Sequence, residues 1–223
     1  MKLLKTTALI AALCAPTLTF ADDFGVELEW NTMDAKLVMD TFPQQKLAFG
    51  ALIDKGEIKD MFIMPTKIDG KTVQLLRFVI EADDEAHVRQ KLKELPMYKK
   101  NLIKISNIKQ LGSKWLDKTP VYKNYGVIIT WKQNKIEPRE ISRVLGVDLQ
   151  LVVNLNHAGL VTSSYINTQK LKNGLTRPIY SVAFLAKDEA HAKMLSQQFE
   201  AVSLGYATIE IQYLGHKLDM KRR

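Results

Sequence analysis

From residue 25 to residue 30 the chain alternates, with Val26, Leu28 and Trp30 apolar and Glu27 and Glu29 charged. This is the period of a strand with one buried face. Leu47, Ala48, Ala51 and Leu52 then recur at helical spacing and stop before Gly56. Residues 61–64 and 73–80 read as two further strands. Between them Asp69-Gly70 is a hairpin-turn dipeptide whose glycine accepts a positive φ. Asp83 or Asp84 caps a helix that runs through Leu95, and Pro96 stops it. Ile103, Ile105 and Ile108 supply a fourth strand, so the order is βαββαβ.

The same order is then repeated. "GVELEW" at 25–30 returns as "GVIITW" at 126–131, and "LIDKGEIKDMFI" at 52–63 as "LNHAGLVTSSYI" at 155–166. Asp69-Gly70 returns as Asn173-Gly174, "DEAH" at 84–87 as "DEAH" at 188–191, and "KQLG" ending at Gly112 as "QYLG" ending at Gly215. Landmarks in one order at a nearly constant offset mark a duplicated structural unit. Both first helical regions carry a breaker, Pro43 and Gly146, and both are expected to be interrupted there. The units are 22–112 and 126–216, joined by a linker at 113–125 whose Trp115 is expected to pack back onto a domain, and followed by a basic tail at 217–223.

The repeated Asp-Glu-Ala-His is not a nucleotide-hydrolysis box, because no G-x-x-x-x-G-K-[ST] loop precedes it. It is read as a helix start, with acidic groups at the positive end of the helix dipole. The alanine is expected to face the sheet, with His87 and His191 on the outer face.

Composition adds a compartment. Lys2 and Lys5 flank an apolar run that ends at Ala21, the pattern of a secretory signal peptide over residues 1–21 and of a periplasmic or secreted protein. The run is too short to span a bilayer, and no other segment approaches that length. Cys14 is the single cysteine, so the exported chain has no disulfide and depends on its core. The 32 basic and 24 acidic residues give +8, which becomes +6 once Lys2 and Lys5 are removed. That charge favours acidic partners. The basic residues are scattered with no aromatic interleaving, so nucleic acid is not expected. No histidine spacing suits a metal, no nucleophile elbow is present, and no cofactor is expected.

The stretch "FVIEADDEAHVRQKLKELPMYKKNLIKISNIKQLG" at 78–112, with its acidic helix start, Leu-Pro-Met-Tyr helix exit and closing strand, resembles the muconolactone isomerase-like and YCII-like families. "ALIDKGEIKDMFI" at 51–63 resembles their first helix exit and second strand. The resemblance implies an α+β fold: two tandem ferredoxin-like units packed as an intrachain dimeric α+β barrel, a monomer acting as a pseudo-dimer. It also implies a small-molecule site between the sheets and, if the chain is an enzyme, a cofactor-independent isomerase acting on a small organic acid or lactone. The His and Asp pair of YCII-like proteins has no counterpart here, since copy one holds no histidine before His87.

Strand alternation places Glu27 and Glu29 on the face opposite the helices. In a ferredoxin-like sheet the first strand lies between the third and fourth, which brings Arg77 and Lys104 toward those carboxylates. Glu27 and Glu29 are candidate proton acceptors, and Arg77 and Lys104 are candidate anchors for a small anionic organic molecule. Asn156 and His157, at the end of copy two's first helix, are a candidate ligand-binding residue and a candidate catalytic residue. The alternative function is a non-catalytic periplasmic interaction or structural module.

Overall fold

The computed structural model describes residues 21–117 and 123–220. The expected signal peptide, Ala21 apart, lies outside the described residues, as do 118–122 of the linker and 221–223 of the tail. The described chain is a mixed α+β structure with eight antiparallel strands and six helices. The first unit runs β1 (Asp22–Trp30), α1 (Ala35–Asp54), β2 (Ile58–Ile68), β3 (Lys71–Ala82), α2 (Glu85–Lys93), α3 (Pro96–Lys99) and β4 (Ile103–Asp117). The second runs β5 (Lys123–Trp131), α4 (Pro138–His157), β6 (Val161–Lys170), β7 (Thr176–Leu185), α5 (Glu189–Ser196), α6 (Glu200–Ser203) and β8 (Ala207–Lys217).

The strands hydrogen-bond in the order β1-β3-β2-β8-β5-β7-β6-β4, and β4 returns to pair with β1. Within each unit the first strand lies between the third and fourth. The units meet at two seams, β2 with β8 and β4 with β6. Each sheet buries one face under its own helices. Phe78, Ile80, Val88 and Leu92 centre one core, and Trp131, Tyr180, Phe184 and Phe199 the other. Each such side chain contributes about 1.5–3 kcal/mol on leaving water.

The duplication extends to individual bonds. The backbone N–H of Met97 donates to Gln45 Oε1 at 2.9 Å, and at the equivalent place the N–H of Glu200 donates to Asp148 Oδ1 at 2.6 Å. Lys114 Nζ donates to the Lys59 carbonyl and Lys217 Nζ to the Thr162 carbonyl, both at 2.9 Å. Gly112 and Gly215, the last residues of the repeated "LG" pairs, have φ of 82° and 95°. A Cβ on Gly112 would meet the Ile166 carbonyl oxygen at 2.1 Å, and one on Gly215 the Ile63 carbonyl oxygen at 2.2 Å. Glycine at both places is what lets the two units' strands cross this closely.

Several expectations are corrected. Neither breaker interrupts its helix: α1 runs through Pro43 and α4 through Gly146. Pro43 cannot donate to the carbonyl of Met39, but Met39 lies on the outer face at 57% exposure, while Val38, Thr41, Gln45 and Phe49 hold the inner face. Pro96 opens α3 as well as ending the preceding helix, using the first position where its missing N–H costs nothing. Of the stretch read as linker, 113–117 belongs to β4 and 123–125 to β5, and Trp115 packs on the second core. Ala86 and Ala190 are exposed, and Val88 and Ala192 face the sheet instead. No helix among the described residues is long and apolar enough to cross a membrane.

Candidate functional site

On β1 the side chains opposite the helical core point between the two sheets. Glu27 lies opposite Arg77 of β3 in register, with Oε2 and Nη2 3.4 Å apart. Asn107 of β4 donates to the other carboxylate oxygen of Glu27 at 2.9 Å. Glu29 lies opposite Lys104 and pairs with it at 2.7 Å. The four charged residues thus share a face as alternation implies, but they divide in environment. Glu27 and Arg77 line a cavity between the sheets, whereas Glu29 and Lys104 are half exposed and are not among its walls. Asn156 and His157 do not reach it either. Asn156 donates to the Val161 carbonyl at 2.9 Å, closing the turn into β6, and His157 is exposed at the end of α4.

All eight strands contribute walls to the cavity, which holds about 80 Å³. A water molecule needs at least about 10–15 Å³ on this measure. The space therefore takes a handful of waters or an ion of a few heavy atoms. Its lining is mostly apolar, with the pseudo-equivalent pairs Gly25 and Leu111, and Gly126 and Leu214, stacked from either unit.

Its polar groups are incompletely satisfied. Nε and Nη1 of Arg77, Oγ of Ser163 and Oγ of Ser181 are buried without a hydrogen-bond partner. Ser163 is only 1% exposed and Ser181 8%. Burial pushes the Arg77 guanidinium below its ordinary pKa, an effect Glu27 opposes. An acceptor placed here relieves that cost, because unpaired buried donors are expensive.

Two lining residues, Asp60 and Tyr165, belong to an ionic network that joins the units. Asp60 of β2, fully buried, pairs with Lys114 at 3.0 Å and with Lys217 at 2.8 Å. Both lysines also pair with Asp117, at 3.1 and 2.6 Å. Tyr165 of β6 donates its hydroxyl to Asp60. Burial, reinforced by the Asp60 charge, pushes the Tyr165 hydroxyl well above its ordinary pKa, so it serves as a neutral donor. Burial works against the Asp117 carboxylate, but the bond and charge of Lys217 and the charge of Lys114 prevail and hold it below its usual value.

Asp60, Tyr165, Ser163, Ser181 and the two lysines were not singled out from sequence. The available signal was "LGSK" at 111–114 returning as "LGHK" at 214–217. The acid is not repeated, since Ser163 stands where the offset would put a second Asp60. The network is therefore asymmetric although its lysines are duplicated.

No family model matches the chain, and no curated protein matches it. Solved structures do resemble it. A heme-binding protein from Thermus thermophilus is 14% identical over 90% of this chain and 92% of its own, with a TM-score of 0.56. A chlorite dismutase variant from Candidatus Nitrospira defluvii is 10% identical over 92% and 93%, with a TM-score of 0.53. A putative chlorite dismutase is 10% identical over 91% and 96%, with a TM-score of 0.52. At these identities the likeness concerns the fold. It corrects the family expectation, because the whole-chain resemblance is to chlorite dismutase-like and heme-binding folds and not to muconolactone isomerases or YCII-like proteins. The shared Leu-Pro exit and acidic helix start are local features that serve capping in either fold. The isomerase reading loses its basis.

Heme does not suit the described residues. Heme iron takes an axial His, Cys, Met or Tyr, and the central cavity offers only Tyr165, committed to Asp60, in far too small a volume. The interior between sheet and helices in the second unit is filled by Trp131, Tyr180, Phe184 and Phe199, all at 0–1% exposure. Asp148 there accepts from the Tyr180 hydroxyl and the N–H groups of Glu200 and Ala201. His191 and His216 share a depression that is open to solvent, and it does not enclose the two faces of a porphyrin. His191 Nδ1 is already held by the Lys187 N–H at 3.3 Å.

Proposed function

We propose that the protein is a small-molecule-binding protein whose ligand is a small oxyanion held in the inter-sheet cavity, with Arg77 as its anchor. The observation that carries this reading is the Arg77 guanidinium, buried against a single carboxylate at 3.4 Å with two of its nitrogens, Nε and Nη1, unpaired. Ser163 and Ser181 supply further hydroxyl donors, and the 80 Å³ volume limits the ligand to a few heavy atoms, as in formate, nitrate or acetate. On this reading the two units are ferredoxin-like halves of one intrachain α+β barrel, the chain is a monomer, and residues 1–21 direct it to the periplasm or beyond. The repeated hydrogen bonds and the paired glycines at the seams support the pseudo-dimer.

A thermal-shift panel of formate, nitrate and acetate at constant ionic strength tests the site, since a ligand that binds only the folded state raises its melting temperature. At least one of the three is expected to raise it in a saturable way for the wild type and not for Arg77→Met. The double change Ser163→Ala, Ser181→Ala is expected to weaken the effect while leaving the fold intact. Absence of a saturable shift with all three would refute the proposal.

A further inference from the structure

The duplication sets a standard against which each unit is compared, and one corner of the second unit departs from it. In the first unit Trp30 Nε1 donates to Thr66 Oγ1 at 2.8 Å, and Thr66 Oγ1 donates to the Val73 carbonyl at 3.2 Å. Thr66 and Val73 lie opposite each other across β2 and β3. All three residues are satisfied, and Val73 is buried at 3% exposure.

The equivalent residues of the second unit are Trp131, Gln169 and Arg177, with Gln169 opposite Arg177 across β6 and β7. Two of them carry a buried polar atom without a partner, Gln169 Oε1 and Arg177 Nε, and Trp131 Nε1 makes no bond to Gln169. A guanidinium at 5% exposure stands where the first unit has valine. Backbone carbonyls alone hold it, with Nη1 donating to Thr176 at 2.9 Å and Nη2 to Asn134 at 3.2 Å. Among the described residues no carboxylate pairs with it. A buried cation without a counter-ion is costly, and its fixed planar fork suits a carboxylate.

Arg177 borders a groove of about 520 Å³ between the first half of α4 and the β6–β7 hairpin, within the roughly 300–1,000 Å³ range of small-molecule sites. Ile141, Leu145, Ile166 and Pro178 form its apolar walls, and no acidic residue lines it. We propose that this groove binds an organic monocarboxylate with an apolar body, its carboxylate at Arg177 and its hydrocarbon against those four side chains. The site is separate from the central cavity and does not depend on it.

Calorimetric titration of the intact protein with octanoate, and with octanol as the uncharged control, tests the proposal. Octanoate is expected to bind one per chain and octanol at least tenfold more weakly. Arg177→Met should lower octanoate affinity at least tenfold. Leu145→Glu, which places a repelling charge on a half-buried wall without touching Arg177, should do the same while its urea transition stays cooperative, and it decides the matter if Arg177→Met fails to fold. Arg77→Met should bind octanoate as the wild type does. No octanoate binding, equal binding of octanol, binding undiminished by Leu145→Glu, or a loss caused by Arg77→Met would overturn it.

Discussion

Lys217 is 1% exposed, and its ammonium touches Asp60, Asp117 and the Thr162 carbonyl. Removing one member of a buried ion network strands the others, so Lys217→Met is expected to cost about 3 kcal/mol in urea unfolding, and a cost below about 1 kcal/mol would show the network to be solvated. The network also has a signature in pH. The folded-state pKa of Asp117 is depressed below its ordinary value of 3.8, so its contribution is present above that value and is lost as pH falls through the folded pKa. Asp23 and Asp148 run the other way, raised chiefly by burial; they favour folding most below 3.8 and oppose it as pH rises above. Asp117→Asn should therefore flatten the loss of stability below pH 3.8, measured as urea midpoints at pH 5 and pH 3. At this scale Glu27 and Arg77 were legible in the sequence because strand alternation and strand order fix their neighbours. Asp60, Tyr165 and Lys217 were not, because their contact crosses between units and no local period encodes it.

Among the helices, the repeated Asp-Glu-Ala-His is a reciprocal cap. Asp84 Oδ1 accepts the His87 N–H at 2.7 Å, and His87 Nδ1 lies 2.9 Å from the Asp83 carboxylate and 3.4 Å from the Asp83 backbone nitrogen. Asp188 and His191 repeat the two backbone contacts at 2.8 and 3.3 Å. The histidine side chain thus reaches back to the residue before the cap, one position beyond the N–H that Glu or Gln takes in a capping box. Asp84→Ala and Asp188→Ala are each expected to cost about 1 kcal/mol in urea unfolding and to leave oxyanion and octanoate affinities unchanged. A tenfold loss of either affinity would place these helix starts in a binding site. The helix starts were readable because capping is a local matter of residue type and spacing. The continuity of α1 through Pro43 was not, because it depends on one helix face being buried along the whole element.

For the whole molecule, the order β1-β3-β2-β8-β5-β7-β6-β4 turns two sheets inward on one small space, and the sequence foretold the duplication through landmarks that recur in the same order at a nearly constant offset. The resemblance to isomerase-like families failed because short capping and exit motifs report local geometry, whereas fold likeness is a property of the full chain. The volume between the sheets was likewise hidden, since it depends on how Leu111 and Leu214 lie over Gly25 and Gly126. The most direct test of the central claim follows the Arg77 Nε–H signal by nuclear magnetic resonance, assigned through Arg77→Lys, during titration with formate, nitrate and acetate. Saturable displacement of that signal by at least one of them, with the Arg177 Nε–H signal unmoved, is the result the account predicts. An Arg77 signal that stays fixed through all three titrations would contradict it.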